Sequence, residues 1–317
     1  MLTETRDYYK PFKYPWAFDF YKTQRKLDWH VEELPLADDI KDFNHKLKPD
    51  SQRLITQIFR FFTQADVDVA GGYCQHYLPT FKAPEVRMMM STFAAMEANH
   101  IEAYSMLIET LGMSDDEYKM FSKFKAMQDK HEYLEKFNMS TPRDIAKSLA
   151  VYSGFTEGVQ LFSSFAILLN FPRHNLMKNM GQVISWSIRD ENLHVEGMTK
   201  LFRTYIEENP ELWDDSLKSN LYSIAERIVE LEDAFIDTCF EGVELEDLRP
   251  EDVKGYIRFI AGRRLNQLAL KDIFNVPVNP LPWVDGMING VEHTNFFENR
   301  PTEYAKAATT GNWDDIF

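Results

Sequence analysis

The chain has 317 residues, 44% of them hydrophobic and 27% charged, which fits a globular protein and excludes disorder and collagen-like composition. Its 35 basic residues stand against 50 acidic ones, a formal charge of −15 that opposes nucleic-acid binding. No apolar run reaches the roughly 18 residues of a membrane span, and the first residues lack a signal peptide's apolar stretch, so a cytoplasmic protein without a membrane partner is expected.

Residues 1–45 are rich in aromatics and proline and are expected to drape over a helical domain spanning 46–280. Within that domain apolar residues recur at helical spacing, which predicts helices near 48–78, 85–111, 115–136, 143–169, 174–207, 214–241 and 251–273. Pro79, Pro84, Gly112, Pro142, Pro172, Pro210, Gly242 and Pro250 divide them, and Ser114 and the Ser140-Thr141-Pro142 run are helix-start signals. No segment alternates like a strand, so the fold class is all-α, an elongated bundle. Residues 281–317 have no evident core to join and read as a flexible tail. Two cysteines, Cys74 and Cys239, are too few for a disulfide scaffold or a cysteine-based zinc site and are expected to be reduced.

Two Glu-x-x-His pairs, Glu97 with His100 and Glu191 with His194, stand on two different predicted helices. At i and i+3 each pair shares one helix face and can offer an oxygen and a nitrogen to one ion. A dinuclear carboxylate site in a four-helix bundle needs a further carboxylate from each of two more helices. Glu157 sits mid-helix among small and apolar residues, and Asp66, with Asp68 as its rival, takes the equivalent place on the first long helix. Four carboxylates in a dry core cannot all ionise without cations, and mixed oxygen and imidazole ligands suit iron or manganese. Tyr104 follows His100 by one turn, and its phenol beside an oxidising metal pair becomes a one-electron donor.

These residues, in this order and spacing, resemble the small, radical-generating subunit of class I ribonucleotide reductase, a similarity that runs from Trp29-His30-Val31-Glu32-Glu33 through Arg189-Asp190-Glu191-Asn192-Leu193-His194. The resemblance implies a ferritin-like four-helix core with additional helices. It implies that Asp66, Glu97, His100, Glu157, Glu191 and His194 hold two metal ions (iron, manganese or both) with an oxygen-derived bridging ligand, and that the stored radical rests on Tyr104 or on the metal pair and leaves by way of Trp29. Asp190 would link metal-bound His100 to Trp29, and Tyr304 would hand the radical to a cysteine of the large subunit. The acidic, apolar-anchored Trp313 to Phe317 would dock there. A homodimer is implied too, with nucleotide allostery in the large subunit; whether a flavoprotein activase supplies a reduced oxygen species stays open. Leu161 and Phe165 are expected on the face of Glu157, in a dry, aromatic-poor wall around Tyr104. Two other readings stand beside it: a ferritin-like dinuclear-metal ligand-binding or substrate oxidase using the same six ligands, and a noncatalytic metal-storage or structural bundle. The oxidase has no use for Trp29, Tyr304 or a docking tail, and the storage bundle should oligomerise into a shell and tolerate loss of Tyr104.

Overall fold

The structure, a computed structural model, describes residues 1–114, 116–120, 123–134 and 138–288. Among these the chain is helical, and its single β feature is an isolated bridge between Leu245 and Leu248. The main helices are α1 (Pro15–Lys26), α2 (Pro49–Gly71), α3 (Pro84–Thr110), α4 (Lys125–Leu134), α5 (Pro142–Leu149), α6 (Phe162–Arg173), α7 (Lys178–Glu208), α8 (Asp215–Phe240) and α9 (Pro250–Gln267). No helix among the described residues is long and apolar enough to cross a membrane.

Helix starts follow the local chemistry of the sequence. Pro49, Pro84, Pro142 and Pro250 occupy first-turn positions, where the missing N–H costs nothing. Thr141 and Asp144 cap one another reciprocally, and Asp214 accepts from the Leu217 N–H at 2.8 Å. Several boundaries differ from the periodicity, and the helix expected over 115–136 is a short one at Glu117–Met120 followed by α4. The stretch expected as one helix over 143–169 is α5, then a π-helix over Ala150–Gln160, then α6. Pro172 lies inside the last turn of α6, and the break comes later, where Asn175 and Met177 take left-handed backbone angles. The first 45 residues contain α1, which the aromatic-rich composition did not suggest. They are pinned by two carboxylates: Glu85 accepts from the backbone N–H groups of Lys13 and Tyr14 and pairs with Arg6, and Glu208 accepts from the Leu2 N–H.

The core is a closed ring: α2 packs on α3, α3 on α7, α7 on the π segment, and the π segment on α2. Helices α8 and α9 cover the π segment from outside, and α1 lies along α3. Gly197 lets α7 approach α3, since a Cβ there would meet the Phe93 ring at 2.9 Å. Beside the ring lies a buried ion pair, Lys130 to Glu232 at 2.5 Å, in which Lys130 also donates to the Gln160 carbonyl and Ser163 donates to Glu232. The Lys130 ammonium sits between the rings of Phe61 and Phe235. Lys130→Met should therefore destabilise the metal-free protein by about 3–5 kcal/mol, because Glu232 is left buried without its counter-charge. Urea unfolding checks this, and adding Glu232→Leu to the same chain should recover most of the loss.

Candidate metal centre

Each of the four ring members brings one acidic residue inward, and two of them add a histidine one turn further on. Asp66 comes from α2, Glu97 and His100 from α3, Glu157 from the π segment, and Glu191 and His194 from α7. All six are buried. The His100 Nδ1 lies 3.4 Å from Glu97 Oε2 and 3.4 Å from Glu191 Oε1, and the His194 Nδ1 lies 2.9 Å from Glu97 Oε1. The donor atoms form two trios, Glu97–His100–Glu191 and Glu97–Glu157–His194, each with its atoms within 4.8 Å of one another. Glu97 belongs to both.

Asp66 stands outside both trios, yet its carboxylate feels the charges of His100 and Glu97. Its rival Asp68 is turned away, 2.5 Å from His131 Nδ1 and accepting from Gln64 at 2.7 Å. Both oxygens of Glu97 and of Glu191, one each of Glu157 and Asp66, and the Nδ1 of His194 are buried without a well-aligned hydrogen bond. For Glu97, Glu191 and His194 the nearest partners are the carboxylate–imidazole contacts of the trios themselves. A dry core tolerates so many orphaned acceptors only if something positive meets them. Oxygen and imidazole donors converging in two groups with a shared carboxylate fit two divalent cations.

The electrostatics agree. Burial, and then Glu97, pushes the Glu191 carboxyl well above its ordinary range, while burial, Glu191 and Glu97 do the same to Glu157. Burial raises Asp66 to about 8. Burial, the largest influence on Glu97, works upward there too, but His100 and His194 outweigh it and hold that carboxyl at about 2. In the metal-free site Asp66 thus retains its proton near neutrality, burial and the neighbouring carboxylates favour the protonated forms of Glu157 and Glu191, and cations must displace the Asp66 proton. Metal affinity should rise with pH, and binding should release more protons at pH 6 than at pH 9. Calorimetric titration in buffers of different ionisation enthalpy measures both, and pH-independent binding without proton release would contradict the arrangement.

Around the trios runs a hydrogen-bonded chain. Asp190 Oδ2 accepts from the Trp29 indole at 2.7 Å and lies 3.4 Å from His100 Nε2. Its other oxygen accepts from Gln24 Nε2 at 3.2 Å, and Gln24 Oε1 lies 3.2 Å from His194 Nε2. One buried amide therefore joins the outer nitrogens of both histidines through Asp190. Gln24 escaped the sequence reading; its only signal is a glutamine five residues before Trp29. Trp29 also stacks near His100 and Trp186, with ring centroids 6.0 and 5.0 Å away.

Tyr104 is buried and donates to Ser187 Oγ at 3.0 Å, and Ser187 in turn donates to the Val183 carbonyl at 3.1 Å. Ser187 is the second residue that escaped the sequence reading, and it carried no signal. The wall is not aromatic-poor: Phe62 stacks on Tyr104 at 4.4 Å and Phe165 lies 5.6 Å behind Phe62. Leu161 lines a small cavity with Phe61 and Ala65 instead, because α-helical spacing does not carry through the π segment. Tyr304 and Trp313 to Phe317 lie outside the described residues.

A closed ring of four helices around a buried cluster of carboxylates and imidazoles defines the ferritin-like class of dinuclear metal proteins. Within that class the chain belongs to the ribonucleotide reductase small-chain family, whose family model matches residues 6–280. It is 45% identical to the probable ribonucleoside-diphosphate reductase small subunit of Invertebrate iridescent virus 6, over 100% of this chain and 98% of that one. Among solved structures, it resembles a putative class I ribonucleotide reductase of Bacillus halodurans (TM-score 0.82, 24% identity, covering 86% of this chain and 99% of that one). It also resembles the dimanganese(II)-NrdF of Streptococcus sanguinis (TM-score 0.79, 20% identity, 90% and 99%), in each case a likeness of fold. Membership replaces the oxidase and storage readings, and a small subunit implies a large subunit as its partner.

Proposed function

We propose that Asp66, Glu97, His100, Glu157, Glu191 and His194 hold two ions of iron, manganese or one of each, and that the chain, as a homodimer, keeps an oxidising equivalent on Tyr104. From there it passes by way of Trp29 and Tyr304 to a cysteine of the large subunit, which reduces ribonucleotides. The observation that carries this reading is the pair of donor trios sharing Glu97, with a buried phenol alongside. When bound, the metal pair supplies a one-electron oxidant.

The remaining work falls to the chain. Burial, with Asp66 next, raises the Tyr104 phenol far above its ordinary range, so the resting side chain keeps its proton. Ser187, its own hydrogen committed to Val183, offers that phenol an oxygen at a fixed position. Phe62 and Phe165 exclude water from the ring, which protects a phenoxyl from quenching. Asp190 fixes the indole of Trp29 and the imidazole of His100 against each other, the kind of outer partner that orients a metal-bound histidine.

The test combines this chain with its purified large subunit. Reduction of ribonucleoside diphosphates should require loaded metal and vanish on chelation. Tyr304→Phe should keep both ions and lose turnover. Turnover indifferent to chelation would overturn the metal assignment, and turnover retained in Tyr304→Phe would remove that residue from the path.

A further inference from the structure

The π-helix of Ala150–Gln160 is eleven residues long, well beyond the single widened turn that is usual, and it carries Glu157. Such a segment persists only where its surroundings hold it. Against it lies Arg264 of α9, a guanidinium almost wholly withdrawn from water. Its Nε donates to the Gly158 carbonyl at 3.0 Å, one residue after Glu157. Its two terminal nitrogens donate to Asn192 Oδ1 at 3.1 Å, one residue after Glu191, and to Gln267 Oε1 at 3.1 Å. The guanidinium also lies 5.2 Å from the centre of the Phe162 ring.

All three acceptors are neutral, and among the described residues no carboxylate lies within ion-pair distance of Arg264. Burying a cation without a paired anion is costly, and a neutral residue of similar bulk would fill the space with less penalty. Burial, the largest influence, lowers the guanidinium to about 10, so it stays charged at neutral pH. What the charge gains here is reach: one rigid fork touches the backbone beside one metal-site carboxylate and the side chain beside another, on two separate members of the ring. Gly158 belongs to the same device, since a Cβ there would meet Arg264 Nε at 2.8 Å.

We propose that Arg264 is a positioning residue of the metal centre, tying the π segment at Gly158 to α7 at Asn192 and so fixing the spacing between Glu157 and Glu191. This rests on the metal-binding reading above. Mn(II) binding to the full chain, followed by calorimetry and by loss of the free-ion paramagnetic signal, tests it in wild type, Arg264→Ala, Arg264→Lys and Asn192→Ala, with the metal-free unfolding midpoint of each measured alongside. Arg264→Ala should weaken binding of at least one ion about tenfold or more, the effect usual for partners behind metal ligands. Arg264→Lys, which restores charge but can reach only one side, should recover part of the loss. Asn192→Ala should show a smaller loss with an unchanged midpoint, which keeps the test valid should Arg264→Ala fail to fold. Unchanged affinity in the folded variants, or losses that merely track the unfolding midpoint, would overturn the proposal. Failure of the wild type to bind two ions would instead overturn the metal-binding reading itself.

Discussion

Glu97→Ala is expected to cost the chain both metal ions, whereas Glu157→Ala or His100→Ala should cost chiefly one. The difference follows from membership in the trios: Glu97 offers Oε1 toward His194 and Oε2 toward His100, while Glu157, His194, His100 and Glu191 each serve a single trio. Removing a ligand common to both groups should weaken each by about 100-fold or more, at the upper end of what even outer partners contribute. Glu97→Gln separates charge from shape. It keeps an oxygen for one ion but turns the other position into an N–H donor, so it should retain one ion and lose its neighbour. The measurement is metal content per chain after loading with Mn(II) or Fe(II) and removal of the excess. Two ions retained by Glu97→Ala would show that this carboxylate bridges nothing.

The metal-ligand candidates were legible in the sequence because their chemistry is periodic. Glu97 with His100 and Glu191 with His194 sit at i and i+3, and a helix with its apolar face known places both members inward. The choice of Asp66 over Asp68 was harder, as both lie in the same turn of α2, and the structure separates them through His131, which no local pattern links to Asp68. Gln24, Ser187 and Arg264 act through residues more than 70 positions away in the chain, so nothing in their own neighbourhoods announces them. The π segment was invisible for a different reason. Its residues, Ala150 to Gln160, are all buried, so they present no contrast between faces from which a period could be read. Assigning 3.6 residues per turn there misplaced Leu161, whereas the aromatic layer of Phe62 and Phe165 is built across two helices that sequence distance keeps apart.

Tyr104→Phe is expected to abolish nucleotide reduction while leaving two ions bound and the fold nearly intact. The ring keeps its stack on Phe62, and Ser187 keeps its bond to the Val183 carbonyl, so only the hydrogen bond from phenol to serine is lost. A lost hydrogen bond of this kind costs about 1 kcal/mol, small beside the total stability of a chain this size. Phenylalanine, however, lacks the hydroxyl hydrogen that a phenol gives up on one-electron oxidation, so the stored equivalent has no place on that side chain. Paramagnetic resonance after exposure to oxygen or superoxide, with turnover measured on the same samples beside the large subunit, distinguishes the two homes for the oxidant. A phenoxyl signal present in wild type and absent from Tyr104→Phe, with turnover gone, assigns the store to Tyr104. Turnover and a paramagnetic signal that both survive would instead leave the oxidant on the metal pair, and Tyr104 would then be a packing residue whose hydroxyl serves only Ser187.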